Sequence, residues 1–391
     1  MSNKRILRTE SLEEREVPVA SNLFAIGGGG GGPPRVQVFD TISGVKLADF
    51  LAYEATFTGG VSTAIADVNS DGFVDLIVGA GVGGGPRVRV FDGKAFSPGR
   101  FGQVAPLNGT SFLNDQFVLA DFFAFESTQR GGTYVAAGNF TGTAFAEVVV
   151  GAGPGGGPRV RILDGQAITT QGRNFTSDRT GDTVANFFAY ESTFRNGVTV
   201  TASPAPLTAA FSDLVVAPGL GGGPRVRVLS GNVIGTQKLQ YTSFGSGDAA
   251  ADFFAGDSSS RTGVFVASAD YNRDGVVDIA VSSGPGGNNN VTIYSGSAIQ
   301  LQRTNFNGGQ AGDVLDTFGA GNGSTAGVTV GSALEVSGLT NGLLLIGTGG
   351  NGATGRAQLV RFLPGNGFLT RQVVQDITFD PNFTGGVFVS G

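Results

Sequence analysis

The 391-residue chain contains no cysteine and no histidine. Those two absences exclude disulfides, thiolate zinc sites, thiol nucleophiles and imidazole bases. Only four of its basic residues are Lys, so acid–base chemistry would fall to Asp, Glu or the six Tyr. None of these stands outside the repeat pattern described below. No apolar run is long enough to span a bilayer, which predicts no membrane insertion. The N-terminal stretch MSNKRILRTESLEEREVPVA is charged and has no apolar core, so it does not read as an ordinary signal peptide. Missing cysteines leave the compartment open, because a large core or bound metal also stabilises an exported domain. No window holds a 3.6-residue period, so helices should be few.

What is abundant is glycine, at 67 residues, together with 31 Phe in a chain that is 40% hydrophobic. Glycine recurs at fixed intervals between short Val-, Ile- and Phe-rich segments, the pattern of tight turns between strands. The formal charge of −6 repels phosphate backbones and argues against a nucleic-acid partner. It suits a protein that binds cations or stays soluble among salts.

Two segments repeat six times each. The first reads ADFLAYEATFTGGV (48–61), ADFFAFESTQRGGT (120–133), ANFFAYESTFRNGV (185–198) and ADFFAGDSSSRTGV (251–264), then decays through 315–328 and 375–387. The second reads PPRVQVFD (33–40), GPRVRVFDG (85–93), GPRVRILDG (157–165) and GPRVRVLSG (223–231), with weaker copies at 289–296 and 357–365. The period is about 60 to 72 residues, and each unit holds four strand-like pieces, the content of a propeller blade. This predicts an all-β, six-bladed β-propeller of four-stranded blades over 21–391, preceded by a flexible leader at 1–20. The last unit stops at GVFVSG (386–391), where a further inner strand would begin, and the first unit lacks that strand. Val387 to Ser390 should therefore pair into the first blade and close the ring, leaving no open sheet edge.

Two loops carry the candidate chemistry. In 67–75, Asp67, Asn69, Asp71 and Asp75 occupy positions 1, 3, 5 and 9, and the carbonyl of Phe73 stands at position 7. In 270–278 the same places are taken by Asp270, Asn272, Asp274, Asp278 and the Val276 carbonyl. Calcium takes six to eight hard oxygen ligands, and a glycine at position 6 permits the sharp turn around the ion. Position 12 is Val78 or Val281 rather than Glu, and the flanks read as strands. These are therefore not EF-hands, and affinities on the order of 10⁻⁴–10⁻³ M are expected for two calcium sites. Asn139, Thr141, Thr143 and Glu147 keep the register of a degraded third loop. The stretches 201–213 and 334–344 retain too few carboxylates.

The run ADVNSDGFVDLIVGAGVGGGPRVRVFDG (66–93) resembles the FG-GAP repeat of integrin-alpha-type propellers and bacterial surface proteins, and 269–287 resembles it too. The resemblance covers most of 22–391. It implies structural calcium on Asp67, Asn69, Asp71, Asp75, Asp270, Asn272, Asp274 and Asp278, although integrin propellers have seven blades. The ADFFAYE segments resemble a bacterial variety of the repeat found in exported proteins. Leu12-Glu13-Glu14-Arg15 resembles a Leu-Glu-Pro-Arg-like leader of some bacterial surface proteins, with Glu14 in place of proline.

GAGVGG (79–84) and GAGPGG (151–156) match a dinucleotide fingerprint, but a strand follows where that site needs a helix, so they read as turns. The pairs Arg87/Arg89, Arg159/Arg161 and Arg225/Arg227 could form a ring for an acidic ligand. The reading preferred here pairs them between blades with Glu54, Glu126 and Glu191. Phe122/Phe123 and Phe187/Phe188 are expected to pack between blades. Together these features predict a non-enzymatic, monomeric, calcium-binding module outside the cell or at its surface, with a protein or carbohydrate ligand on a propeller face. The competing expectation is a propeller polysaccharide lyase or glycosidase.

Overall fold

The computed structural model describes residues 22–96, 107–203, 211–320, 327–334, 342–348, 354–364 and 369–390. The leader expected at 1–20 and its Leu12–Arg15 segment lie outside them, as do parts of 201–213 and 334–344.

Six sheets, each with an antiparallel four-stranded core, stand around a common axis, and five of them are each contributed by one repeat. Blade two shows the pattern. Val61–Ala66 is innermost, followed outward by Asp75–Ala80, Arg87–Phe91 and Val118–Phe123. Blades three, four, five and six begin with inner strands Thr133–Gly138, Val198–Ala202, Val264–Ala269 and Val328–Leu334. In blade one the inner place is filled by the chain's last strand, Val387–Ser390, which pairs with Leu23–Gly28 from Gly28 opposite Val387 to Ala25 opposite Ser390. The expected closure is present, and it joins the two ends of the repeat array through main-chain hydrogen bonds.

Blade one differs from expectation by a fifth strand. Leu107–Phe112, from the excursion before the outer strand of blade two, lies parallel to Lys46–Leu51 on the outside of blade one. The same excursion in blades three, four and five folds into seven-residue α-helices, Gly165–Gln171, Gly231–Gln237 and Gly296–Gln302. The Asp164 and Ser295 side chains cap two of them by accepting from the Ala167 and Ala298 amides. Each helix buries one Ile, at 168, 234 and 299.

The first Phe of each repeated pair wedges between blades, as expected. Phe122 of blade two meets Phe175 of blade three at 4.7 Å, and Phe187 meets Tyr241 at 4.7 Å. The second Phe does not: Phe123 and Phe188 are 48% and 41% exposed. Side chains alternate across a strand, so adjacent Phe residues on an outer strand take opposite faces.

Glycine sets how closely blades approach on one face. Gly132 lies at φ +74° over Gly81 of the previous blade, and a Cβ there would come within 2.4 Å of the Gly81 carbonyl carbon. The same contact recurs between Gly197 and Gly153 and between Gly263 and Gly219. Inner strands start at this glycine face and end at the acidic loops, so the acidic loops lie on the opposite face.

The axis itself is closed near the glycine face. Phe388, Tyr134 and Phe265, from the inner strands of blades one, three and five, meet with centroids 5.8 to 6.3 Å apart. The corresponding residues of blades two, four and six are Ser62, Thr199 and Thr329. Each donates its hydroxyl to the first inner-strand carbonyl of the next blade, at Thr133, Val264 and Val387. Alternating large rings with small hydroxyls lets three aromatics fill an axis too narrow for six. A cavity of ≈ 80 Å³ lined by Thr63, Thr201, Ser332 and Ser390, among others, lies on the acidic-loop side of this plug.

Candidate calcium loops

Both acidic loops join the innermost strand of a blade to the next, and both are wound in the same way. The residue at position 4 has positive φ, Ser70 at 59° and Arg273 at 64°, and the glycine at position 6 follows at 86° in Gly72 and 84° in Gly275. These left-handed turns aim successive amides at the loop's own carboxylates. Asp67 accepts from the Asp71 and Gly72 amides at 3.1 and 2.9 Å, and Asp71 accepts from the Phe73 amide at 3.0 Å. In the second loop Asp270 accepts from Asp274 and Gly275 at 3.1 and 2.9 Å, and Asp274 accepts from Val276 at 2.8 Å. The Asn69 and Asn272 side-chain carbonyls accept from the amide at position 5.

The ninth residue does something its spacing did not reveal. Asp75 is fully buried; its Oδ2 accepts from the Val68 and Asn69 amides, and its Oδ1 from Gly93, eighteen residues on. Asp278 repeats this with Tyr271, Asn272 and Gly296. Burial pushes both carboxyls up to about 8, partly opposed by these amide bonds. Glu147 and Asp213 hold the same place in blades three and four. Glu147 accepts from the Phe140 amide and Asp213 from the Gly231 amide, although their loops have lost the other acids. The acid that opens the second strand therefore fastens its loop to the blade in blades two, three and five, and in blade four it holds the turn after the third strand.

The two loops differ on the outside. Lys94 forms an ion pair with Asp71 at 2.5 Å, whereas Asp274 accepts from the Ser297 hydroxyl at 2.7 Å. In blade three the loop closes on itself: Asn139 donates to the Thr143 carbonyl and Thr141 to Glu147.

All side-chain donors at positions 1, 3, 5 and 9 are oxygen, the donor type calcium prefers and zinc does not. A carboxylate offers about four lone-pair directions, and the amide bonds use only some of them at Asp67 and Asp71. The donor type thus fits calcium, and the Phe73 or Val276 carbonyl would have to supply the remaining protein ligand. Among the described residues no three His, Cys, Asp or Glu side chains are grouped so as to hold a metal on their own. The carboxylates are turned to the loop amides, and the expected set needs the asparagine and main-chain oxygens as well.

The repeated arginines are held between blades. Arg87, Arg159 and Arg225 pair with Glu54, Glu126 and Glu191 of the preceding blade at 3.0, 2.7 and 3.1 Å. Arg89, Arg161 and Arg227 donate to the carbonyls of Ala52, Ala124 and Ala189. Arg87 and Arg89 also lie over the Tyr53 ring at 5.3 and 5.4 Å. Within their own blades, Asp121 and Asp252 bind the arginine pairs from the outer strand. Sequence spacing did not identify these two acids, although they recur as the second residue of ADFF.

Among the described residues, no helix is long and apolar enough to cross a membrane. No curated protein matches the chain by sequence. Among solved structures, a protein of unknown function from Bacteroides caccae is 10% identical, with a TM-score of 0.44, covering 94% of this chain and 99% of that one. Sqt1 of Chaetomium thermophilum is 13% identical, with a TM-score of 0.43, covering 83% and 63%. Apo AztD of Citrobacter koseri is 9% identical, with a TM-score of 0.39, covering 94% and 97%. The sequence profile of the FG-GAP repeat matches residues 59–104, which span the first acidic loop and its flanking strands. The chain is thus a closed β-propeller of six blades that carries an FG-GAP repeat at residues 59–104.

Proposed function

We propose that this propeller is a non-enzymatic, calcium-stabilised binding module that works outside the cell or at its surface, with a protein or carbohydrate partner on one face. The observation that carries the calcium reading is the identical winding of 67–75 and 270–278. The same two left-handed residues and the same amide-to-carboxylate bonds occur in loops three blades apart. Asp67, Asn69, Asp71, Asp75 and the Phe73 carbonyl would hold one ion; Asp270, Asn272, Asp274, Asp278 and the Val276 carbonyl would hold the other.

Such ions bind the folded state and raise its stability by mass action, which at weak affinity requires millimolar calcium. That concentration is met outside cells, and this supports the exported location. A calorimetric calcium titration tests the reading. The wild type should take up two ions, and Asp71→Ala and Asp274→Ala should each remove one. Unchanged stoichiometry in both variants would refute it.

A further inference from the structure

At four blade boundaries a guanidinium of one blade lies on an aromatic ring or beside a carboxylate of the blade before it. Arg35 sits over Phe379 and pairs with Asp380, and Arg87 sits over Tyr53 and pairs with Glu54. Arg159 does the same with Phe125 and Glu126, and Arg225 with Tyr190 and Glu191.

The boundary between blades four and five keeps the strand register of this arrangement without its side chains. Strand register places Asn290 and Thr292 where blade four has Arg225 and Arg227, and Thr317 where it has Asp252. The segment Ala255-Gly256-Asp257 stands in place of Ala189-Tyr190-Glu191. Gly256 adopts φ +104°, and nothing lies within 4 Å of where a Cβ would stand. What these replacements leave is an open cleft of ≈ 450 Å³, lined among others by Ala255, Gly256, Asp257, Asn290 and Thr292.

The chemistry of the cleft complements the groups it lacks. At the neighbouring boundaries the alanine carbonyl accepts a guanidinium N–H at 2.6 to 2.9 Å, and the tyrosine hydroxyl of Tyr53 or Tyr190 donates to carbonyls of the next blade. Here the corresponding Ala255 and Asp257 line a space whose lining residues include no Lys or Arg; the nearby Arg261 donates to the Ser258 and Ser260 carbonyls while also favouring the Asp257 carboxylate. Hydrogen bonds from the Ser259 amide and hydroxyl favour the ionised form of Asp257. The cleft therefore offers acceptors and a negative charge at the sequence positions that receive an arginine elsewhere in the ring.

We infer that this cleft binds a guanidinium group supplied from outside the chain, either an arginine side chain of a peptide or a free guanidinium compound. The ligand pairs with Asp257 and donates to the Ala255 carbonyl, a charge-assisted contact that a planar guanidinium makes better than an ammonium. The inference deepens the binding-module reading and rests on it, but it does not depend on calcium.

Calorimetric titration of the full chain with N-acetyl-arginine amide, and with its lysine and alanine counterparts, tests the assignment in calcium and in chelator. The arginine amide should bind saturably, about tenfold tighter than the lysine amide, and the alanine amide should give no binding. Asp257→Asn should weaken arginine binding about tenfold, and Thr292→Arg, which returns a guanidinium from the chain itself, should abolish it. Asp257 is exposed, so its variant serves if Thr292→Arg fails to fold. A pentapeptide of alanines with a central arginine that binds tighter than the amide points to a protein partner; equal binding points to a free compound. Indistinguishable titrations for the three amides, or arginine binding untouched by Asp257→Asn, would overturn the assignment. Arginine binding without calcium binding would sink the calcium reading alone, and the reverse result would sink this inference alone.

Discussion

Asp75 and Asp278 carry two tasks that pull against each other. Each closes its loop through amide hydrogen bonds, and each is fully buried, which penalises the charge those bonds favour. With both carboxyls raised to about 8 in the metal-free fold, and near 4 when unfolded, the folded state binds more protons between about pH 4 and 8. Metal-free stability should therefore fall as pH rises across that window. A bound divalent ion favours the carboxylate form, so with calcium the dependence reverses and stability falls on acidification. Thermal melts in chelator should give a higher Tm at pH 5 than at pH 8, and melts in millimolar calcium the opposite order. A chelated protein that gains stability steadily from pH 5 to pH 8 would contradict this. The spacing of the acids was legible in the sequence. The fastening role of the ninth was not, because its partner amide at Gly93 or Gly296 becomes a neighbour only once the blade is assembled.

At the scale of the element, the inter-blade arginines govern how one sheet seats on the next. Arg227 is only 4% exposed and is held by Asp252 and by the carbonyls of Ala189 and Ser243. Removing Arg227 leaves Asp252 paired with Arg225 but strips the buried Ala189 and Ser243 carbonyls of their donor. Arg227→Ala should destabilise the fold by about 1–3 kcal/mol, measured by urea denaturation. Arg87→Ala should cost less, because Arg87 and its partner Glu54 reach solvent. An Arg227→Ala variant as stable as wild type would show that the pairs do not fix blade seating.

The glutamate partners of these arginines could be read from repeats running in step. The alanine carbonyls could not, since a main-chain acceptor leaves no trace in residue identity. The helices at 165–171, 231–237 and 296–302 escaped for a different reason: seven residues are two turns, too few to show a period. The Asp164 or Ser295 cap before a glycine was their one local signal.

For the whole molecule, closure is the feature that sequence reading captured best, because an unfinished last repeat and an incomplete first one imply each other. The aromatic plug was not legible. Phe388, Tyr134 and Phe265 are unremarkable strand residues until the ring brings alternate blades together at the axis. Deleting 387–390 removes both the closing strand and one plug ring, exposing the Leu23–Gly28 edge. The truncated protein should melt lower and self-associate through that edge, as size-exclusion chromatography would show. A monomer with an unchanged Tm would mean that the ring is held by other contacts.

Two acidic loops in a closed ring share one winding, and the proposal is that each holds a divalent ion. Anomalous diffraction from crystals grown in calcium tests it most directly. Two calcium peaks are expected, one within 67–75 and one within 270–278. Difference density free of calcium at both loops would contradict it.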